Sequence, residues 1–408
     1  MLNFNTKTMN FSGPIVMILV FLSSALSIGP GYAFGMFIKP LQNEFNWSTT
    51  EISFALSFAA VGTLFSPLLG SFMDRYGARK IMTIALVSMS ISFLLRPYMH
   101  NILHLYLLSF LQYYAMPGST SLPAGRLVGM WYPKVRGRVM GFVTMGNNFG
   151  GLVIPLIIGF SLANDKWRIA YYELGFISLF LVFLTMLFVK EPDVNLTKIR
   201  NNDFKEINDG NNLTNFDMSL SDAIKTKKFY LLSLSLMFGT FTYSALIPQI
   251  PDYLIIKGLS RNHLPFLVSL LATFGMFGKA SFGYLSEIFT SKKMMIISLL
   301  GQVIFIFFII YTDNYIFMWI VFPLFGFFMG AYGAIINLVI QDMFGLKNFG
   351  SISGVLFLGS VISFFSGPLL SGLSVDKTGD YAISFAIVAV MFIIGANLLL
   401  IIPNEKKD

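Results

Sequence analysis

Long runs without charge constrain this chain more than any other feature. Residues 11–37, 171–189 and 382–402 each continue for roughly 20 residues with almost no ionisable side chain, the length needed to cross a bilayer as a helix. Of the 408 residues, 55% are hydrophobic and only 12% are charged. A soluble domain of this size needs a charged shell, so most of the outer surface must meet lipid. Polar breaks near 39–48, 73–80, 96–103, 132–138, 163–168, 190–228, 257–262, 287–293, 312–315, 344–348, 374–380 and 403–408 divide the chain into twelve spans. The expected fold is therefore all-α, an integral membrane protein of twelve transmembrane helices. The first run is too long for a cleaved leader and continues toward a second span without a small-residue cleavage site, so it reads as an uncleaved signal-anchor.

The net charge of +8 reports topology. With the N-terminus inside, nineteen of the 28 basic residues fall on the cytoplasmic side, among them Arg75, Arg79, Lys80, Lys134, Arg136 and Arg138. Only Lys39, Arg96, Lys166, Arg168, Lys257, Arg261 and Lys377 fall on the other side. The positive-inside rule then predicts that both termini are cytoplasmic, in the plasma (inner) membrane if the source is bacterial. This distribution also removes the need for a nucleic-acid partner.

One segment departs from the pattern. Residues 191–228 are polar and rich in Asn and Asp, and they read as a cytoplasmic linker with one short helix at Ser219–Thr226. Residues 1–190 and 229–408 then form two six-helix bundles. They are weakly self-similar at an offset of about 213 residues, the internal symmetry expected of secondary transporters. Gly70-Ser71-Phe72-Met73-Asp74-Arg75-Tyr76-Gly77-Ala78-Arg79-Lys80 falls over Gly283-Tyr284-Leu285-Ser286-Glu287-Ile288-Phe289-Thr290-Ser291-Lys292-Lys293. Gly141 falls over Gly354 and Pro155 over Pro368. Ser48-Thr49-Thr50-Glu51 has the pattern of a capping box and predicts the start of the second span.

The stretch Gly70–Lys80 fits G-x-x-x-D-R-x-G-x-R-[KR], and here the chain resembles the major facilitator superfamily. The resemblance implies two pseudo-symmetric six-helix bundles that rock about a central site, and the alternative cargo for such a fold is a neutral or drug-like solute. In it, Gly70, Asp74, Arg75, Gly77, Arg79 and Lys80, with Glu287 in the degenerate copy, form a conformational gate. Gly70 is expected to permit close helix approach, Gly77 to allow a tight turn, and Asp74 to take arginines and a helix N-terminus as partners. Gly31-Tyr32, Trp47-Ser48, Trp131-Tyr132-Pro133-Lys134-Val135-Arg136-Gly137, Trp167-Arg168 and Phe344–Gly354 are similar to the monocarboxylate and oxalate–formate antiporter group. The chain departs from that group at Arg138-Val139, where Leu-Ala is usual.

Charge inside the spans singles out two residues. A charged side chain costs about 2.5–3.5 kcal/mol at a helix centre, so one that persists marks a candidate site. Lys279 stands eight residues before Glu287, roughly 12 Å along the helix, and Arg126 stands about 8 Å inside the fourth span. Lys279 occupies the place where the resembled group carries a basic residue for its carboxylate substrate, usually arginine. Tyr32, Asn147, Asn148, Tyr332 and Asn337 are candidates to complete the site with hydrogen bonds. All 20 acidic residues lie in loops or near helix ends, with Glu51, Glu173, Asp252 and Asp342 closest to the interior. A basic cavity without a midplane carboxylate favours a small organic anion, a mono- or dicarboxylate, moved by proton symport or anion exchange.

Other classes are disfavoured. Zero cysteines remove thiol chemistry and thiolate metal sites. The three histidines show no ligand spacing, and no P-loop, G-x-S-x-G or H-E-x-x-H motif is present. The chain therefore reads as neither an enzyme nor a pump, with no cofactor and no metal, acting as a monomer in the lipid bilayer.

Overall fold

The computed structural model describes residues 12–132, 136–192, 218–312, 314–345 and 349–403. Eleven helices among them are long and apolar enough to cross a membrane. The fourth span completes twelve, assembled from Ile102–Tyr113 and Ser121–Trp131 around a 3-10 turn, Met116–Ser119. Pro117 lacks the N–H that would continue the helix. At Gly118 a Cβ would stand 2.9 Å from Ile81 on the third span, so close packing there demands glycine.

In the first half, span 1 is Ser12–Ala33, followed by an accessory helix Gly35–Phe45. Span 2 runs from Thr49–Phe54 through a 3-10 turn into Ala59–Tyr76. Span 3 is Ala78–Leu95, span 5 Arg136–Ala163 and span 6 Trp167–Phe188. In the second half, span 7 is Lys227–Phe241 extended through a π turn, Thr242–Leu246, to Ile250–Ile256. Spans 8, 9 and 10 are Leu264–Ile288, Ser291–Tyr311 and Tyr315–Phe344. Span 11 joins Phe349–Phe357 to Ser360–Thr378, and span 12 is Ala382–Ile401. Most of the expected linker, 193–217, lies outside the described residues. Just after it, Ser219 caps a short helix, Leu220–Ile224, by accepting from the Asp222 amide.

Local chemistry explains where spans begin. The Ser48 hydroxyl accepts from the Glu51 amide while the Glu51 carboxylate accepts from the Ser48 amide, a complete capping box. Asn101, Thr226, Thr290 and Asn314 cap spans 4, 7, 9 and 10 in the same way. Glycines then set how closely helices approach. At Gly146 and Gly150 on span 5, a Cβ would fall 2.3 and 2.0 Å from carbonyl oxygens of span 1. At Gly330 and Gly278, joining spans 10 and 8, the distances are 2.0 and 1.9 Å. In lipid, where apolar burial gives little drive, this backbone-to-backbone packing holds the bundles together.

The halves meet through spans 2 and 11 and through spans 5 and 8, the two pairings a twofold axis exchanges. Gly159 and Gly372, 213 positions apart, make equivalent approaches across that boundary. A Cβ would stand 2.2 Å from Pro265 at the first and 2.5 Å from Thr50 at the second. The duplication register therefore has a direct counterpart in the packing.

Candidate functional site

One face of the molecule carries the Gly77 turn and the end of span 6, and is called here the basic face. The hydrogen bonds that join the halves start at the opposite face. Asp376 at the end of span 11 accepts from the amides of Thr49 and Thr50 at 2.9 and 2.8 Å, capping span 2 from the other half. On the far side of the axis, Arg261 pairs with Asp165. Deeper, Ser53 and Gln249 exchange a hydrogen bond, and Gln249 and Asp252 both accept from Tyr381. Asp252 is 3% exposed and lies within electrostatic range of Lys39, its partner at the 213-residue offset.

Below this closed layer the joining contacts reach Ser269 with the Leu152 carbonyl, Asn148 with the Ala272 carbonyl, and finally Lys279 with the Thr144 carbonyl. Toward the basic face the packing opens. A Cβ at Gly125, Gly129, Gly141, Gly283 or Gly354 would meet no atom within 4 Å. Gly141 and Gly354 are the pair the sequence register aligned. The joining contacts thus end at the level of Lys279, and open space at these glycines lies beyond it toward the basic face.

Lys279 is half-buried, its ammonium donating to the Thr144 carbonyl at 3.3 Å. Among the described residues no carboxylate lies within ion-pair distance of it. Gly333 leaves room beside its stem, and the Tyr243 hydroxyl occupies the same gap, 2.6 Å from where a Gly333 Cβ would be. The Tyr32 ring lies over Gly151 and within electrostatic range of Tyr243. Asn147 is half-buried on span 5, and Asn337 is exposed one helical turn beyond Gly333.

Three candidate residues are spoken for elsewhere. Asn148 is 2% exposed and bonded across spans 5 and 8, where it packs against Gly275. Tyr332 is fully buried and donates to the Leu236 carbonyl at 2.9 Å inside the second bundle. Arg126 makes a two-pronged ion pair with Glu191 at 2.8 and 3.1 Å at the basic face. The tyrosine that reaches Lys279 is Tyr243, which sequence reasoning passed over. Its signal was the polar run Thr240–Ser244 inside an apolar span, and it sits on the π turn, a backbone feature frequent at functional sites.

The gate motif is built around Gly77, whose φ of 87° turns span 2 into span 3. The Glu191 carboxylate accepts from the Ala78 amide at 2.7 Å and so caps span 3 while holding Arg126. Burial pushes the Glu191 carboxyl up, but the Arg126 guanidinium and the Ala78 amide together more than offset this and hold it below the usual range. Arg79 donates to the Val189 carbonyl, and Arg75 and Lys80 lie over the Tyr76 ring. Expected close packing at Gly70 is absent, since a Cβ there would meet only Leu122 at an ordinary 3.8 Å. The side chains of Asp74 and Glu287 lie outside the described residues.

Comparison with known proteins fits this geometry. A sequence profile described as Major Facilitator Superfamily matches residues 20–286 and 232–408. The chain belongs to the major facilitator superfamily. It is thus a multi-pass membrane transporter rather than an enzyme. Among relatives in this superfamily, a hexuronate transporter of Bacillus subtilis is 24% identical over 91% of this chain and 90% of its own length. Human monocarboxylate transporter 14 is 23% identical over 94% of this chain and 89% of its own. A probable sulfoacetate transporter of Cupriavidus necator is 22% identical over 90% of each chain. Among solved structures, the xylose transporter XylE from E. coli, in a partially occluded inward-open conformation, aligns with a TM-score of 0.74 at 14% identity, covering 96% of this chain and 100% of that one. A bacterial homologue of the human lysosomal transporter Spinster, described as inward-facing, aligns at 0.72 and 17% identity over 96% and 97%. These likenesses carry the fold.

Proposed function

We propose that this chain moves a small organic anion, a mono- or dicarboxylate, across the membrane by alternating access, with Lys279 as the cationic anchor. The observation that carries the reading is a half-buried lysine where the halves meet, with a backbone carbonyl, and no carboxylate, as its described partner. A half-buried ammonium with only a neutral acceptor at 3.3 Å is under-compensated, and a substrate carboxylate would supply a charge-assisted bond. In this reading the Tyr243 hydroxyl, beside the lysine stem, would donate to the same anion, and Tyr32 from the other half would complete the site. Lysine in place of arginine provides a point charge without a fork, which suits tolerance among carboxylate shapes. Relatives named for hexuronate, monocarboxylates and sulfoacetate are consistent with a negatively charged cargo.

Loop charge supports a cytoplasmic basic face, with both termini on that side. The open space then faces inward, and the Asp376 and Asp165 contacts seal the outer face. Inward release of the anion would leave Lys279 to return to the Thr144 carbonyl. Without a midplane carboxylate on the described spans, a coupled proton would travel on the lysine or on the substrate itself, and anion exchange needs none.

The test is uptake of labelled lactate, glucuronate and oxalate into proteoliposomes holding the full chain. Saturable uptake of at least one is expected, abolished in Lys279→Ala and partly kept in Lys279→Arg. Saturable uptake that persists in Lys279→Ala overturns the anchor, and uptake of neutral or cationic solutes alone overturns the anion reading.

A further inference from the structure

A second basic residue is more deeply buried than Lys279 and lies within the first bundle. Arg96, at the end of span 3, is 4% exposed. Its Nη2 donates to Gln112 Oε1 at 2.6 Å and to Ser109 Oγ at 3.2 Å. Phe93 and Tyr171 present ring faces at 5.3 and 5.0 Å. Every one of these partners is neutral, and among the described residues no carboxylate pairs with Arg96. Its Nε is buried with no hydrogen-bond partner. Beside it lies a small cavity of ≈ 10 Å³, walled by Pro30, Phe34 and Phe37 and reached by the Tyr113 side chain.

An arginine does not shed its proton, so burial cannot be relieved by neutralisation. Ring faces lower the energy of a guanidinium without cancelling its charge. A water in the cavity could accept from Nε but would leave the charge uncompensated. We propose that this cavity is an internal site for one small monovalent anion of the halide class, held by Arg96 Nε within the first bundle. The space admits about a single sphere of this scale. Its apolar walls favour an ion that sheds water readily over a divalent or strongly hydrated one. The bound anion would tie spans 1, 3, 4 and 6 together as a structural element, independent of the cargo at Lys279.

The experiment uses the full chain in detergent, melted in sodium chloride, sodium bromide or sodium gluconate at equal ionic strength. Binding to the folded state alone raises Tm with concentration. A fall of a few degrees in gluconate, reversed saturably by chloride or bromide, is expected. Lys279→Ala should keep this dependence and Arg96→Gln should lose it. Equal Tm in chloride and gluconate, or halide dependence that survives in Arg96→Gln, overturns the proposal. Should Arg96→Gln fail to fold, crystals of the unaltered protein grown in bromide decide. An anomalous peak beside Arg96 Nε supports the site, and a cavity that is empty or holds water overturns it.

Discussion

The Asp376 contact offers a quantitative test of how the face opposite the basic one, outer in the proposed orientation, is held shut. Its carboxylate accepts two backbone amides across the boundary, at 2.9 and 2.8 Å, at the positive end of span 2. Hydrogen bonds to an ionised acceptor contribute about 1.5–3 kcal/mol when shielded. Asp376 is exposed, and solvent reduces such contributions, so about 1–2 kcal/mol for the pair is reasonable. Removing it should raise the outward-open population by a factor of about 5–30. The chain contains no cysteine, so Ser53→Cys places a single thiol at a fully buried position behind the latch. A membrane-impermeant maleimide added outside should label that thiol slowly, and about 5–30 times faster when Asp376→Ala is added. An unchanged or slower rate in the double variant would refute the argument, because it would mean that Asp376 does not hold the halves together.

Three further outcomes follow, two from packing and one from titration. Gly141→Leu enters open space in this state, so its melting temperature should match the parent while uptake falls sharply, since closing the basic face requires that space. Gly159→Leu meets Pro265 in this state, so it should destabilise the closed outer face by about 1–3 kcal/mol, read as faster outside labelling of the Ser53→Cys reporter. At the outer surface, hydrogen bonds from Arg168 hold the Glu44 carboxyl below its usual range. A folded-state pKa that is depressed stabilises above the unfolded value, about 4.3, and that contribution is lost as pH falls through the folded value. Because Trp167 also donates to Glu44 at 2.7 Å, indole fluorescence should change below about pH 4, and Glu44→Gln should abolish that change.

Twelve spans could be read from charge-free runs because hydrocarbon leaves the backbone no alternative to helix. The capping box and the Gly77 turn were readable too, since both depend on residues adjacent in sequence. Contacts between distant residues were not. Nothing local distinguished Arg126, held by Glu191 at the end of span 6, from an arginine facing the cavity. Nor could a tyrosine count separate Tyr332, whose hydroxyl is spent on the Leu236 carbonyl, from Tyr243, which a π turn brings toward Lys279. Arg96 was assigned to a loop because it follows the last apolar residues of span 3, yet the fold closes aromatic rings over it.

The face opposite the basic one is closed by two contacts at equivalent places in the two halves that differ in chemistry. On the Gly372 side a carboxylate grips peptide N–H groups at a helix start. On the Gly159 side the rim contact is an ion pair at the surface, between Arg261 and Asp165, with the Ser269, Asn148 and Lys279 hydrogen bonds beneath it. Salt at physiological strength screens exposed charges over about 8 Å and affects the ion pair more than bonds made at contact distance to fixed backbone. Rising salt would therefore loosen the rim between spans 5 and 8 before the rim between spans 2 and 11, so that this face would part unevenly, as a wedge hinged on the Asp376 side.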